Sequence, residues 1–314
     1  MSALQQVEHS PKTDPKYGGS KEGILHHYDI GNEFWGLMLG PAFAYSAALF
    51  KGANDTLEAA QERKFRWHME SARVAEAKSV LEVGCGWGTL LRMISEEPQT
   101  ERIVGLTLSD AQTEYLRSLK LPKTEIRTEN WAVHEPKQKY DSIISIGAFE
   151  HFAKPEDTQE QNMIVYRDFF QRCHRWLSPT GGLSLQTIAY GNMPRKDASK
   201  FMNTEIYPES ELPYLGEIIT AIDGLFEVVA IRNDRFDYAR SYDRWLDNLR
   251  ARRSEAIALV GEEEVHRFER FYKLGSIGFR LGKIWLLRLA LRPIHSAWSV
   301  SGLDHRESTG HALA

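Results

Sequence analysis

The stretch Val80-Leu81-Glu82-Val83-Gly84-Cys85-Gly86-Trp87-Gly88 is an apolar segment that runs into three glycines at alternate positions. A buried strand followed by such a turn lets the backbone approach an adenosyl-type ligand closely, because glycine has no Cβ to collide with it. The spacing differs from the G-x-G-x-x-G of dinucleotide-binding folds, since an acidic residue precedes an alternating G-x-G-x-G. The stretch therefore predicts a strand and a ligand-binding turn; an ordinary tight turn between strand and helix is the alternative.

Composition and charge are those of an ordinary globular protein. The chain has 314 residues, 42% of them hydrophobic, so it is long enough to bury a large core. Its net charge is -4 and its pI is about 6.3, so it lacks the excess of basic residues that nucleic-acid-binding proteins usually have. We therefore expect no nucleic-acid partner. Cys85 and Cys173 are too few for a disulfide framework or a zinc cluster, and the N-terminus shows no apolar signal segment. These features favour a cytoplasmic protein.

From Ser79 onward, predicted strands alternate with helices, which is typical of a parallel sheet covered on both faces. We predict strands at 79–84, 102–107, 124–128, 140–146, 182–189 and 226–232, and a helix at 209–223. An earlier helix places Phe65, Met69 and Ala72 at helical spacing, with Asp55 as its predicted N-cap.

The predicted organisation is a single domain between two flexible tails, 1–20 and 294–314. Within residues 21–293 we expect a helical cap at 21–76, a ligand-binding core at 77–190, a substrate-side insertion at 191–224, and C-terminal helices and strands at 225–293. The apolar segment 282–293 is too short to span a membrane and contains Lys283 and Arg288. We interpret it as a last strand paired with 226–232, after a helix at 262–279; a basic membrane-surface element is the alternative.

The residues that follow the strands are the candidate site, because ligands of open α/β sheets lie beyond the carboxyl ends of the strands. Hydroxyl and amide side chains that suit a ribose follow the second strand, namely Thr107, Ser109 and Gln112, with Leu108 among them. Ser109 also suits a helix N-cap. Asn130 and Trp131 follow the third strand, where the indole suits stacking on adenine; a tryptophan packed in the core is the alternative.

The fourth strand ends at Ile146 and leads into Phe149-Glu150-His151-Phe152. A carboxylate at this strand end, flanked by aromatic residues, is a candidate catalytic group. A glutamate that interacts with a helix dipole is the alternative. The histidines lack partners at metal-ligand spacing, so we expect no metal.

Several segments together resemble those of the cyclopropane fatty acid synthases and mycolic acid methyltransferases, a family of class I methyltransferases. The segments, which match in order and spacing, are His27-Tyr28-Asp29-Ile30-Gly31-Asn32-Glu33-Phe34-Trp35, Tyr45-Ser46, Glu82 to Gly88, Thr107 to Gln112, Ser145 to Phe152 and Thr204-Glu205-Ile206-Tyr207-Pro208. The match extends over about 21–293, and the Gly-Cys-Gly-Trp-Gly turn and the Gly-Ala-Phe-Glu-His-Phe block are among its most specific parts.

The resemblance implies a Rossmann-like, seven-stranded α/β sheet with an N-terminal helical cap and an inserted helical segment. It also implies S-adenosylmethionine as the cofactor. The residues expected to bind it are Tyr45, Ser46, Gly84, Gly86, Gly88, Thr107, Leu108, Ser109, Gln112, Asn130, Trp131 and Ile146.

The resemblance further implies a reaction in which an alkene attacks the sulfonium methyl group and a base removes a proton from the resulting carbocation. Glu150 and Tyr238 match the family's glutamate and tyrosine at a bicarbonate site, and His151 joins them as a catalytic candidate. The family's cysteine and histidine at that site are Ala47 and Gln186 here. Loss of an imidazole weakens anion binding by about an order of magnitude, so we expect Glu150 to act as the base, directly or through a water.

The acceptor is expected to be an olefinic lipid or an isoprenoid-type small molecule. The expected substrate pocket comprises Tyr28, Trp35, Ala47, Phe149, Gln186 and Phe201. Cyclopropanation of an acyl chain, N-methylation of a small amine and a catalytically silent cofactor-binding subunit stay open as alternatives. An oligomer and a peripheral membrane contact also stay open.

Overall fold

The computed structural model describes residues 30–197 and 210–295. Its centre is a seven-stranded sheet whose strands are β1 (Ser79–Val83), β2 (Arg102–Thr107), β3 (Thr124–Thr128), β4 (Tyr140–Ile146), β5 (Leu177–Tyr190), β6 (Phe226–Asn233) and β7 (Ile284–Pro293). The strand order is β3-β2-β1-β4-β5-β7-β6, with β1 to β5 parallel and β7 antiparallel to both of its neighbours. This confirms the predicted Rossmann-like sheet of a class I methyltransferase.

Helices cover the sheet on both faces. They are α1 (Asn32–Leu39), α2 (Leu57–Ser71), α3 (Thr89–Ser95), α4 (Asp110–Ser118), α5 (Gln159–Trp176), α6 (Leu215–Ile222), α7 (Arg235–Ala251), α8 (Arg253–Val260) and α9 (Glu262–Arg280). Apolar side chains of α2 and α3 pack on one face of the sheet, and those of α5 and α6 pack on the other. Because both faces are covered, β1 is a nearly continuous apolar run without polar alternation.

The segment 282–293 forms the last strand, as predicted, and pairs with β6 and also with β5. The alternative interpretation as a membrane-surface element is therefore wrong for the strand Ile284–Pro293, because its backbone is used in two strand ladders. Within the described residues, no helix is both long and apolar enough to cross a bilayer.

Three boundaries differ from the prediction. β5 begins at Leu177 rather than at 182, because the backbone continues in extended form through Gly181 and Gly182, where a Cβ would lie 2.8 Å from backbone oxygens. α6 begins at Leu215, after a non-helical segment. The N-cap of α2 is Thr56, whose hydroxyl accepts from the Ala59 amide; the Asp55 carboxylate instead accepts from the Lys51 amide and pairs with Arg63.

Candidate active site

A cleft with an empty volume of about 1030 Å³ lies at the carboxyl ends of β1, β2, β3 and β4. The sequence-predicted residues that line it are Tyr45, Ser46, Gly84, Gly86, Gly88, Thr107, Leu108, Gln112, Asn130, Trp131, Ile146 and His151. The fold thus gathers, around one space, residues that are spread over more than a hundred positions in the chain.

The three glycines of the turn have left-handed backbone angles, with φ of 80° at Gly84, 52° at Gly86 and 77° at Gly88. A Cβ on Gly84 would lie 2.6 Å from the Ala148 Cβ, and one on Gly88 would collide with the Leu116 side chain. A Cβ on Gly86 would meet no protein atom within 4 Å. Close packing within the protein therefore requires two of the three glycines, whereas Gly86 borders the open cleft.

Two buried ionisable residues beneath the turn were not among the predicted site residues. Glu82, at the end of β1, lines the cleft, and Lys64 of α2 donates from Nζ to the Ser46 Oγ at 2.8 Å. Burial raises the pKa of Glu82 well above its usual range, although the nearby Lys64 opposes this. Burial lowers the pKa of Lys64 well below its usual range, and Arg288 adds to this effect. Lys64 could have been identified from the sequence, because its helical spacing places it on the buried face of α2.

Polar side chains at the end of β2 are held by one another. Thr107 Oγ1 donates to Gln112 Oε1 at 2.7 Å, and the backbone N–H of Gln112 donates to Ser109 Oγ at 3.1 Å. Ser109 is buried as the N-cap of α4 and is not part of the cleft lining. This pairing orients the Gln112 side chain at the wall of the cleft.

The end of β3 contributes Asn130 and Trp131. The Asn130 Oδ1 accepts from the Ala132 amide at 2.9 Å and so caps a short 3-10 helix. Trp131 is buried against Phe152 and Phe169, with ring centroids 4.9 Å and 5.3 Å away, yet it also lines the cleft. Trp131 is therefore packed in the core and also lines the cleft, and its stacking on adenine stays a prediction.

The cleft fits an adenosyl cofactor by the chemistry of its buried polar atoms. Glu82 Oε2 and Trp131 Nε1 are buried and have no hydrogen-bond partner in the part of the chain that the structure describes. Buried polar groups are rarely left unsatisfied, so an acceptor and a donor at the cleft wall suit a polar ligand. Gly86, with open space where a Cβ would be, leaves room for that ligand.

Glu150 lies behind the wall of the cleft, between the lining residues Ala148 and His151. It is 3% exposed, and its carboxylate accepts from Thr187 Oγ1 at 3.0 Å and from the Ile188 amide at 3.4 Å. Burial raises the pKa of Glu150 to about 7, and the hydrogen bonds from Thr187 and Ile188 limit the rise. A carboxyl group with this pKa exchanges protons readily near neutral pH.

His151 lines the cleft next to Glu150, and its Nδ1 lies 2.6 Å from the Ser210 Oγ. Burial lowers the pKa of His151 to about 4, so its imidazole is neutral at physiological pH. No group of three side chains suited to holding a metal ion occurs within 30–197 and 210–295.

A single buried guanidinium contacts both Gln186 and the backbone at Ala47, the two positions that the sequence comparison assigned to an altered anion site. Arg288 of β7 donates from Nε to Gln186 Oε1 at 2.9 Å, and from Nη2 to the carbonyls of Ala47 and Ala48, both at 3.0 Å. Its Nη1 pairs with Asp234. Arg288 is fully buried, so its charge is balanced within the protein.

An imidazole also lies next to Gln186, but on a different element. His68 of α2 places its Nε2 3.4 Å from Gln186 Oε1 and its Nδ1 2.7 Å from Ser184 Oγ. Burial, together with the charges of Arg288 and Lys64, lowers the pKa of His68 well below its usual range. The Gln186 side chain is thus engaged by α2 and β7, whereas the adjacent Thr187 bonds to Glu150.

The other predicted pocket residues lie in packed surroundings and not at the cleft wall. Trp35 is packed among Tyr45, Trp87 and Phe268. Phe149 stacks on Tyr166 with ring centroids 4.9 Å apart.

Tyr238 of α7 is buried against Tyr242, with ring centroids 4.7 Å apart. Ala47 is fully buried. Tyr28 and Phe201 lie outside the described residues.

The sheet order, the glycine turn and the cleft beside it define a class I S-adenosylmethionine-dependent methyltransferase. The family model described as mycolic acid cyclopropane synthetase matches residues 17–289. The chain belongs to this family, as the resemblance of its motifs implied.

Individual relatives agree with this assignment. The chain is 31% identical over 282 residues to cyclopropane mycolic acid synthase 1 of Mycobacterium tuberculosis, covering 83% of this chain and 93% of the relative. It is 30% identical over 310 residues to a probable fatty acid methyltransferase of Pseudomonas putida, covering 92% of this chain and 72% of the relative. The solved structure of the mycolic acid cyclopropane synthase CmaA1 complexed with SAH and CTAB matches with a TM-score of 0.76 at 28% identity, covering 86% of this chain and 97% of the other.

Proposed function

We propose that this protein transfers a methyl group from S-adenosylmethionine to the alkene of a lipid chain or an isoprenoid-type small molecule, with Glu150 as the base. The observation that carries the proposal is a buried carboxyl group next to the cofactor cleft, with a pKa of about 7 and two hydrogen bonds that fix its position. The printed names of relatives support a lipid-type acceptor, since they are cyclopropane mycolic acid synthases and a probable fatty acid methyltransferase.

The proposed reaction assigns a task to each group of residues. Bound S-adenosylmethionine supplies an electrophilic methyl group. Glu82, Trp131 and the backbone at Gly86 would hold the cofactor, and such positioning can supply much of the rate, about 7 to 11 kcal/mol in well-aligned reactions. Glu150 then takes the proton that the methylated acceptor loses as its carbocation collapses. Because His151 is neutral, it adds no positive charge near the carbocation.

The surroundings of Arg288 support a reaction that does not use bicarbonate. Ala47 has no polar side chain, and Gln186 Oε1 and the Ala47 carbonyl both accept from Arg288. The N–H groups of this guanidinium thus donate to acceptors of the protein itself and not to a bound anion. The proposal therefore assigns the role of base to Glu150. We expect full turnover in buffer freed of carbon dioxide, and a rate that depends on added bicarbonate would contradict this part of the proposal.

The product distinguishes this proposal from its alternatives. Incubation with S-adenosylmethionine and a monounsaturated acyl chain is expected to add one CH₂ to the acceptor mass, and NMR then separates a methyl branch from a cyclopropane ring. A parallel incubation with small amines tests N-methylation.

Glu150→Gln should bind the cofactor but lose turnover, whereas Glu156→Gln, at an exposed position in the same loop, should be unaffected. Turnover by Glu150→Gln close to that of the parent protein would overturn the base assignment.

A further inference from the structure

The end of α9 and the residue that follows it carry exposed apolar side chains on the outer side of the helix, in addition to the buried ones on the inner side. Phe271 and Phe279 are buried against the rest of the protein, as expected of a packed helix. Leu274, Ile277 and Leu281 lie on the outer side and are 40%, 44% and 59% exposed. Exposed apolar residues that cluster among charged ones mark a candidate interaction surface, and this outer face has that character.

These exposed residues form one continuous surface with the start of α7. Residues spaced by three, four and seven positions share a helix face, which aligns Leu274, Ile277 and Leu281. Arg235 donates from Nη1 to the carbonyls of Phe279 and Arg280, both at 2.7 Å, so α7 begins beside the end of α9.

Phe236, at the start of α7, is 58% exposed, and the Arg235 guanidinium lies 3.9 Å from its ring centroid. We define the α9 patch as Phe236, Leu274, Ile277 and Leu281 with the cations Arg235, Lys273, Arg280 and Lys283.

The charge of this surface is opposite to that of the whole chain. The net charge of the protein is -4, yet no aspartate or glutamate occurs between Arg270 and Pro293. Lys273 and Lys283 are exposed. Arg280 pairs with Asp243 of α7, and Asp237 of α7 is half-buried next to Phe236. Apolar side chains among cations suit the interface of an anionic bilayer, since the cations attract the headgroups while the apolar groups enter the acyl boundary.

The α9 patch also lies at the edge of the sheet that carries the cleft. β5 ends at Tyr190, which pairs with Ile284 at the start of β7. The amides of Gly191 and Asn192 donate to the carbonyls of Lys283 and Gly282, at 2.9 Å and 3.0 Å. A bilayer bound to the patch would therefore lie at the same end of the sheet as the loops that follow the parallel strands.

We propose that the α9 patch binds the surface of an anionic phospholipid bilayer. This binding does not depend on the proposed lipid substrate, although it places that substrate class beside the enzyme. Exposed positions are chosen for the variants so that folding is retained.

The test is sedimentation of the full chain with vesicles of phosphatidylcholine alone, or of equal parts phosphatidylcholine and phosphatidylglycerol. The parent protein should bind the anionic vesicles, and less so as salt is raised. Phe236→Ser with Leu281→Ser, and separately Lys273→Glu with Lys283→Glu, should each weaken binding at least about tenfold. Ile164→Ser with Ile219→Ser, two exposed apolar residues on α5 and α6, is the matched control and should bind like the parent.

Equal binding by the patch variants and the parent, or no binding of the parent to anionic vesicles, would overturn the proposal. A concentration-dependent dimer that the patch variants abolish, without vesicle binding, would assign the surface to a second copy of the chain instead. Methyl transfer to a water-soluble acceptor should be unchanged in the patch variants. Failure of the proposed methylation would leave vesicle binding intact, so the two proposals fail separately.

Discussion

The Nε of Arg288 donates to Oε1 of Gln186 at 2.9 Å and so joins β7 to β5 inside the protein. The same guanidinium contacts Asp234 and the carbonyls of Ala47 and Ala48, immediately after the cleft residue Ser46. A buried cation thus ties the segment that borders the cofactor cleft to two strands.

Arg288→Met should destabilise the protein by about 3 to 5 kcal/mol, because it leaves buried acceptors and a carboxylate without their donor. Asp234 keeps its bond to Arg232, which favours the lower end of this range. Urea unfolding measures the effect, with the exposed Arg250→Met as the control. Addition of Asp234→Leu to Arg288→Met should restore part of the stability. A further loss as large as that caused by Asp234→Leu alone would show that the pair is not coupled.

Glu150 should make activity and stability depend on pH in opposite directions. Its pKa is raised to about 7, and a base must be ionised, so the rate should rise with pH up to this value. The folded state binds more protons than the unfolded state between a pH of about 4.5 and about 7. Stability therefore falls across that window, by about 3 kcal/mol at most. The pH–rate profile of the parent protein tests the first dependence, and Glu150→Gln should remove the second, as judged by melting temperatures on either side of the window. An unchanged stability profile would mean that Glu150 is not buried as described.

The glycine turn offers a test that separates packing from ligand binding. Gly84→Ala should lower stability by about 1 to 3 kcal/mol, because its Cβ meets Ala148 at a left-handed backbone position. Gly86→Ala meets no protein atom and should cost about 1 kcal/mol from backbone conformation alone. Its main effect should be on the affinity for S-adenosylhomocysteine, measured by calorimetry. Equal effects of the two substitutions on stability and affinity would contradict this division of roles.

Lys64 should support cofactor binding through Ser46. Lys64→Met removes the donor to Ser46 Oγ and the charge near Glu82, so we expect weaker binding of S-adenosylhomocysteine, by about tenfold. Ser46→Ala provides the second arm of a double-mutant cycle, and the two effects should be less than additive. Additive effects would show that Lys64 does not act through Ser46. Lys51→Met, at an exposed position, is the control.

Much of the fold was predictable because periodicity and turn chemistry are local. The apolar run 80–83 before the glycine turn and the alternation of strands with helices led to the sheet that the structure contains. The start of β5 was missed, since Pro179, Gly181 and Gly182 have the composition of a turn. There the pairing with β4 and the close approach of neighbouring backbone override local preference.

The sequence by itself determined the class of the protein, its cofactor and nearly half of the cleft lining, because strand ends in an open α/β sheet converge on one edge. Only the tertiary structure decided the surroundings of Glu150 and the partners of Gln186. Adjacent residues of a strand face opposite sides, so Thr187 contacts Glu150 while Gln186 contacts Arg288, which is 102 positions away in the chain. The protonation of Glu150, Glu82 and Lys64 likewise depends on burial, and burial arises only when distant segments pack together.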